Sequence, residues 1–204
     1  MNLSTFLTGG VVGFCIAAPV GPIGALTIRR TLALGRVTGF VTGLGAATAD
    51  AAYGAIAAFG LTFITGFLVA QQGWLRCVGG IFLLYIGITT FRAPPAPPNP
   101  EQRVAGLLSA YATTVFLTLS NPTTILSFLG IFAALGLQEA TSNYVGASVF
   151  VLGVFLGSTL WWLILSSGVG LLRPRITDAA LRWVNKFSGA LVAAFGIYAL
   201  AGLF

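Results

Sequence analysis

The sequence predicts an all-α membrane protein with six transmembrane helices, built as two inverted three-helix repeats in which helices 1 and 4 are broken. Three observations predict it. The 204 residues are 57% hydrophobic and 7% charged, with a mean hydropathy of +0.97, whereas soluble domains carry about 25% charged residues. Apolar runs long enough to cross a bilayer recur along the chain. Two of these runs are interrupted by proline, at Pro19-Val20-Gly21-Pro22 and at Asn121-Pro122.

The first run extends from about Leu3 to the basic pair Arg29-Arg30. A proline inside a helix removes a backbone hydrogen bond and clashes with the carbonyl four residues back, so Pro19 to Pro22 breaks it. Irregular backbone at membrane depth persists only where it is buried in protein or lines a wet cavity. Such breaks point to a transporter's binding site. Met1-Asn2-Leu3-Ser4 lacks the basic start of a cleaved signal peptide, so this run is expected to remain as a span.

Span 2 is predicted from Arg36 to about Gly66, and span 3 from Trp74 through Arg76 to Arg92. Residues 1–92 form the first repeat. Residues 93–103 contain Ala93-Pro94-Pro95-Ala96-Pro97-Pro98-Asn99-Pro100, a stiff proline-rich linker expected in the cytoplasm. The second repeat covers residues 104–204. Its span 4 begins after Arg103, breaks at Asn121-Pro122 and ends before Gln138-Glu139. Span 5 runs from about Asn143 to Gly170, a loop carries Arg173, Arg175, Arg182 and Lys186, and span 6 closes at Phe204.

Most basic residues fall after spans 1, 3 and 5, while the other side holds Arg76 and Glu139. The positive-inside rule then places the odd-to-even loops in the cytoplasm and both termini outside. The same rule explains the net charge of +6 as a topology signal, with no nucleic-acid partner implied. There is no histidine, and Cys15 and Cys77 lie in separate apolar segments. Neither a zinc site nor a disulfide framework can be built from these, and no cofactor is expected.

The halves match in order. Trp74 to Gly80 with Gly87 corresponds to Trp183 to Gly189 with Gly196; Pro22 corresponds to Pro122; and Gly45 with Asp50 corresponds to Gly153 with Ser158. Three spans per half invert the second half, the plan of many secondary transporters, with the site between halves at the midplane.

Asp50 is the lone acid within a predicted span. A carboxylate at the helix centre costs about 2.5–3.5 kcal/mol on insertion scales, so it needs a partner or a function. Gly39, Gly43, Ala46 or Ala47, Asp50 and Gly54 make a stripe of small residues at helical spacing, which marks helix contact and turns Asp50 inward. Its expected role is to pair with a cationic group of a solute or to carry a coupling proton. Tyr53, a turn away, is a candidate hydrogen-bond partner. The half-helices starting at Pro22 and Pro122 offer positive ends suited to a carboxylate, with Asn121 as N-cap and Thr123 and Thr124 adding hydroxyls. The unwound carbonyls near Val20 and Ser120 are acceptors. One acid beside carboxylate-binding dipoles suits a zwitterion such as an amino acid. Gly153-Val154-Phe155-Leu156-Gly157 is a small-residue interface pattern, and Trp74, Trp161, Trp162 and Trp183 are read as interfacial anchors.

With these residues in hand, the chain resembles the LysE/RhtB family of amino-acid exporters. The resemblance rests on Pro19-Val20-Gly21-Pro22, then Arg30, Gly35, Gly39, Gly43 and Asp50, and on Asn121-Pro122. It implies six spans in a bacterial inner membrane and export of an amino acid, driven by protons, with no enzymatic activity. It leaves homo-oligomerisation open. Many members carry lysine directly after the span-4 Asn-Pro, where this chain has Thr123; a site without that cation suits a basic solute. Three other readings compete. A divalent-metal exporter would need more oxygen or soft ligands than one carboxylate provides. A redox carrier would need a second thiol near the span-4 break, where Val115 stands at the position equivalent to Cys15. A purely structural role leaves Asp50 and both breaks without a purpose.

Overall fold

The computed structural model describes residues 2–19, 21–60, 67, 70–94, 100–121, 124, 127, 128, 131, 143–172 and 177–202. Val20, Pro122, Thr123, linker residues 95–99, Glu139, Arg173 and Arg175 lie outside the described residues. Seven helices and no strand occur among the described residues: α1 (Asn2–Ala17), α2 (Pro22–Leu34), α3 (Arg36–Ala58), α4 (Gln72–Arg92), α5 (Pro100–Leu119), α6 (Tyr144–Leu172) and α7 (Asp178–Ala201).

The first run is broken as its prolines predict. Helix α1 stops at Ala17, Pro22 opens α2, and Gly21 before it is extended. Proline suits a first helical position because its missing N–H would have had no helical partner. The two helices meet at 80°. Helix α2 then runs through Arg29 and Arg30 to Leu34. The expected cytoplasmic turn at Arg29-Arg30 is therefore corrected: both arginines are helical and half-buried. The chain turns at Gly35, whose φ of 107° lies where only glycine sits without a steric penalty.

Helix α3 ends at Ala58, short of the expected Gly66, and Gly60 follows it with φ 62°. Helix α5 begins at Pro100, inside the stretch read as linker. It ends at Leu119, and Ser120 and Asn121 form a turn where the second break was expected.

Among the described residues three helices are long and apolar enough to cross a membrane: Gly73–Arg92, Tyr144–Leu172 and Ala179–Ala201. The bent pair α1–α2 makes a fourth if counted as one span. Six were predicted. Helix α3 is 23 residues long, and more than half of them are buried. Surrounded by protein, it is built from Gly, Ala and Thr, and so falls short on apolarity rather than on length. The apolar part of α5 is Gly106–Leu119.

Glycines set the close crossings. A Cβ at Gly9 or Gly13 of α1 would strike the backbone of Phe150 or Val154 in α6, and one at Gly153 or Gly157 would strike Phe6 or Gly10. Residue numbers rise together along this seam, so α1 and α6 run parallel. Helices α4 and α7 run antiparallel, with Gly80 against Gly196 and Gly87 against Gly189. Helix α3 crosses α6 antiparallel, with Gly43 against Trp162 and Gly54 against Val154. It lies parallel to α5, with Gly45 on the Tyr111 carbonyl and Tyr53 bonded to Leu119. Small-residue seams of this kind replace the hydrophobic drive that lipid cannot supply between helices.

Candidate functional site

Asp50 sits midway along α3 and is 3% exposed. The small-residue stripe does turn it into the protein: Ala46, Ala47, Ala49 and Gly54 are buried beside it. Its Oδ2 accepts a 2.8 Å hydrogen bond from Ser158 Oγ of α6. Ser158 Oγ in turn accepts 3.2 Å from the indole Nε1 of Trp162, one turn further along α6. The chain Trp162–Ser158–Asp50 is thus polarised towards the carboxylate, and both partners are buried. Burial of a carboxylate is costly unless it is hydrogen-bonded, and a neutral hydroxyl meets part of that need.

Trp162 is corrected from interfacial anchor to core residue: it is 3% exposed and bonded internally. Trp74 and Trp183 are exposed, as anchors would be. Tyr53, expected as Asp50's partner, instead donates its hydroxyl proton to the Leu119 carbonyl. That carbonyl belongs to the last turn of α5, where a helix leaves its carbonyls without intrahelical partners.

Both breaks meet α3 on either side of Asp50. Ala17 packs with Ala46, Ala47 and Trp162, and Ile23 packs against that cluster, so the residues that flank the first break lie beside the turn before Asp50, while Pro19 within it is exposed. Tyr53 reaches the end of α5, placing Ser120 and Asn121 beside the turn after it. Ser120 is buried, close to Gly79 of α4. The amide of Thr124 donates to the Asn121 carbonyl at 3.1 Å, which restarts the chain after the break. No side chain caps α2 at Gly21, leaving its first N–H groups to meet another acceptor. Val20, Pro122 and Thr123 of the predicted set lie outside the described residues.

Two further groups escaped the sequence reading. The hydroxyls of Thr27 in α2 and Thr118 in α5 are buried without a hydrogen-bond partner among the described residues. They sit next to Leu26 and Leu117, which share one core cluster. The others are Arg29 and Arg30. Arg30 Nη1 donates to Thr42 Oγ1 at 3.3 Å, the Ala110 carbonyl at 3.1 Å and Thr114 Oγ1 at 3.3 Å, fastening α2 to α3 and α5. Arg29 donates from Nε to Asn185 Oδ1 at 3.2 Å and from Nη1 to Thr90 Oγ1 at 3.1 Å. Basic residues at span ends read as topology signals, which hid both roles.

Among the described residues no three of His, Cys, Asp and Glu approach one another closely enough to hold a metal. The arrangement offers instead a buried acid between two helix breaks, set in a membrane protein.

Comparison with known proteins bears on the class of protein. The sequence model of the LysE type translocator family matches residues 14–202. The chain is 28% identical over 200 residues to a Bacillus subtilis (strain 168) protein named for amino acid efflux, YcgF, covering 96% of this chain and 95% of the relative. It is 23% identical over 206 residues to the threonine efflux protein of Escherichia coli (strain K12), covering 96% and 97%. An uncharacterized membrane protein of the same organism, YahN, is 29% identical over 178 residues, 86% of this chain and 78% of the relative. No solved structure matches. A membrane transporter and not an enzyme, the chain belongs to the LysE type translocator family.

Proposed function

We propose that the protein exports an amino acid or a related zwitterionic or cationic solute across a bacterial cytoplasmic membrane, by alternating access coupled to protons. The observation that carries the reading is Asp50, buried between two helix breaks and bonded across α3 and α6 to Ser158. An acid held at the crossing of packed helices is a functional site by default in a membrane protein. In this reading it takes the solute's ammonium group or the coupling proton, and the uncapped start of α2 receives the carboxylate. The names of the relatives for amino acid and threonine efflux support the class of solute.

Six spans in two inverted halves are part of the proposal. The pairings support it: under the sequence match, Gly80 and Gly87 correspond to Gly189 and Gly196, and it is Gly80 that faces Gly196 and Gly87 that faces Gly189. The pairing of α1 with α6 is mirrored by that of α5 with α3, and both run parallel. Asp50 and Ser158, equivalent in the match, meet each other. A two-fold axis in the membrane plane would pass through this bond, which is where a rocking motion of two halves would pivot. Both termini would lie outside, and Arg92 and Arg182 inside.

The test is uptake of a panel of amino acids into inverted vesicles, with and without a pH gradient. Native protein accumulates at least one of them in a gradient-dependent way, and Asp50→Asn, expressed at the native level, does not. Full transport by Asp50→Asn would remove the acid from the mechanism.

A further inference from the structure

Arg29 and Arg30 are neighbours in α2, and they face different helices: Arg30 bonds to α3 and α5, Arg29 to α4 and α7. Arg29 is held at the edge of a cleft of about 140 Å³ whose polar groups are Arg29, Arg30 and Asn185 and whose apolar wall includes Ala33, Leu34 and Leu181. Asn185 fixes the guanidinium: its Oδ1 accepts from Arg29 Nε while its Nδ2 donates to the Ala93 carbonyl at 3.1 Å. Thr90 accepts from Nη1. These partners are neutral, and among the described residues none takes a proton from Arg29 Nη2. The guanidinium is therefore oriented, with no acid among its bonded partners and with donors to spare. A guanidinium fork matches the two oxygens of a carboxylate or phosphate. The cleft has room for such a group, since a water needs only about 10–15 Å³ of such volume.

The surroundings favour an anion. Arg92 closes α4 just before the cleft's Pro94, while Arg182 and Lys186 flank Leu181 and Asn185 on α7, and all three are exposed. Clustered charge of one sign raises the local concentration of the opposite ion. The geometry points to an oxyanion site in this cleft, distinct from Asp50, that takes a carboxylate or a phosphate carrying a short apolar group. The oxyanion would come from a small solute in the cytoplasm or from the headgroup of an acidic lipid.

The site is tested on the full chain purified into phosphatidylcholine nanodiscs, by thermal unfolding against three probes. Acetate and inorganic phosphate represent the soluble source; added phosphatidylglycerol represents the lipid. At least one probe should raise the native midpoint in a saturable way, and the one that does identifies the source. Arg29→Gln should weaken that binding about tenfold or more, the loss expected for a charge-assisted hydrogen bond. Asn185→Asp keeps an acceptor for Arg29 but adds a competing negative charge, and should weaken it likewise. Arg29→Lys, which keeps the charge without the fork, should fall between. Asp50→Asn should bind like the native chain even where export is lost, so this site and the transport reading fail separately. Absence of any shift, or equal shifts in native, Arg29→Gln and Asn185→Asp proteins, would overturn the site.

Discussion

Ser158 Oγ donates to Asp50 Oδ2 at 2.8 Å, joining the positions that correspond between the two halves of the sequence. One half supplies the acid and the other supplies the hydroxyl that holds it. In the proposed two-half plan the site is therefore asymmetric in chemistry. Any motion that separates α3 from α6 must either break this bond or carry both residues together.

Ser158→Ala removes the donor without adding bulk. The carboxylate then loses its hydrogen bond while still buried, at a cost of about 1.5–3 kcal/mol. The expected outcome is a lower unfolding midpoint together with reduced transport, whereas Ser158→Thr, which keeps the hydroxyl, should recover most of both. In a double-mutant cycle with Asp50→Asn, the two losses should fail to add. Additive losses would mean that the bond does no energetic work.

Trp162→Phe tests the next link. Phenylalanine keeps an aromatic ring, though a smaller one, against Ala17, Ala46 and Ala47, and the indole donor to Ser158 is gone. A neutral hydrogen bond is worth about 1 kcal/mol, so the stability loss should be smaller than for Ser158→Ala. The transport change should follow the same order. A larger effect from Trp162→Phe would indicate that the ring itself meets the solute.

Much of this was legible in the chain. Pro19, Gly21 and Pro22 announce the first break because proline cannot donate within a helix, and the stripe Gly39 to Gly54 announces which way Asp50 faces. Ser158 was written into the sequence only through the match of Gly45 with Gly153, which aligns it with Asp50; a lone serine among small residues says nothing by itself. Trp162 follows Ser158 by one helical turn, so once Ser158 is placed its indole is placed too. Arg29 and Arg30 were misread because a basic pair ending an apolar run looks like a loop. What ends α2 is Gly35, with its positive φ, and not the charges. Tyr53 has helical spacing to Asp50, but the length of its side chain carries the hydroxyl past the acid to Leu119.

Gly157 and Gly168 lie on the same helix and should respond oppositely to alanine. At Gly157 a Cβ would collide with the carbonyl and Cα of Gly10, which are backbone and cannot swing aside. At Gly168 nothing lies within 4 Å of the added atom, and alanine is the better helix former by about 1 kcal/mol. Gly157→Ala should lower the unfolding midpoint and expression, while Gly168→Ala should leave them unchanged or raised. Equal tolerance at both positions would contradict the close α1–α6 seam.

Tyr53→Phe bears on how the second break is held. The hydroxyl is the tie from α3 to the Leu119 carbonyl, and the ring also packs against Phe128 with centroids 6.2 Å apart. Phenylalanine keeps the ring contact and removes the tie, so the effect isolates the hydrogen bond. The carbonyl lies at a helix end, where the next amide cannot serve it, and its loss of a partner should cost about 1 kcal/mol. If the break must stay formed for solute to be held, the apparent affinity for solute falls while the maximal rate is kept. If the break must instead loosen for the halves to rock, the maximal rate rises. A stability loss with both transport parameters unchanged would make Tyr53 a structural strut and confine the working site to Asp50, Ser158 and the first break.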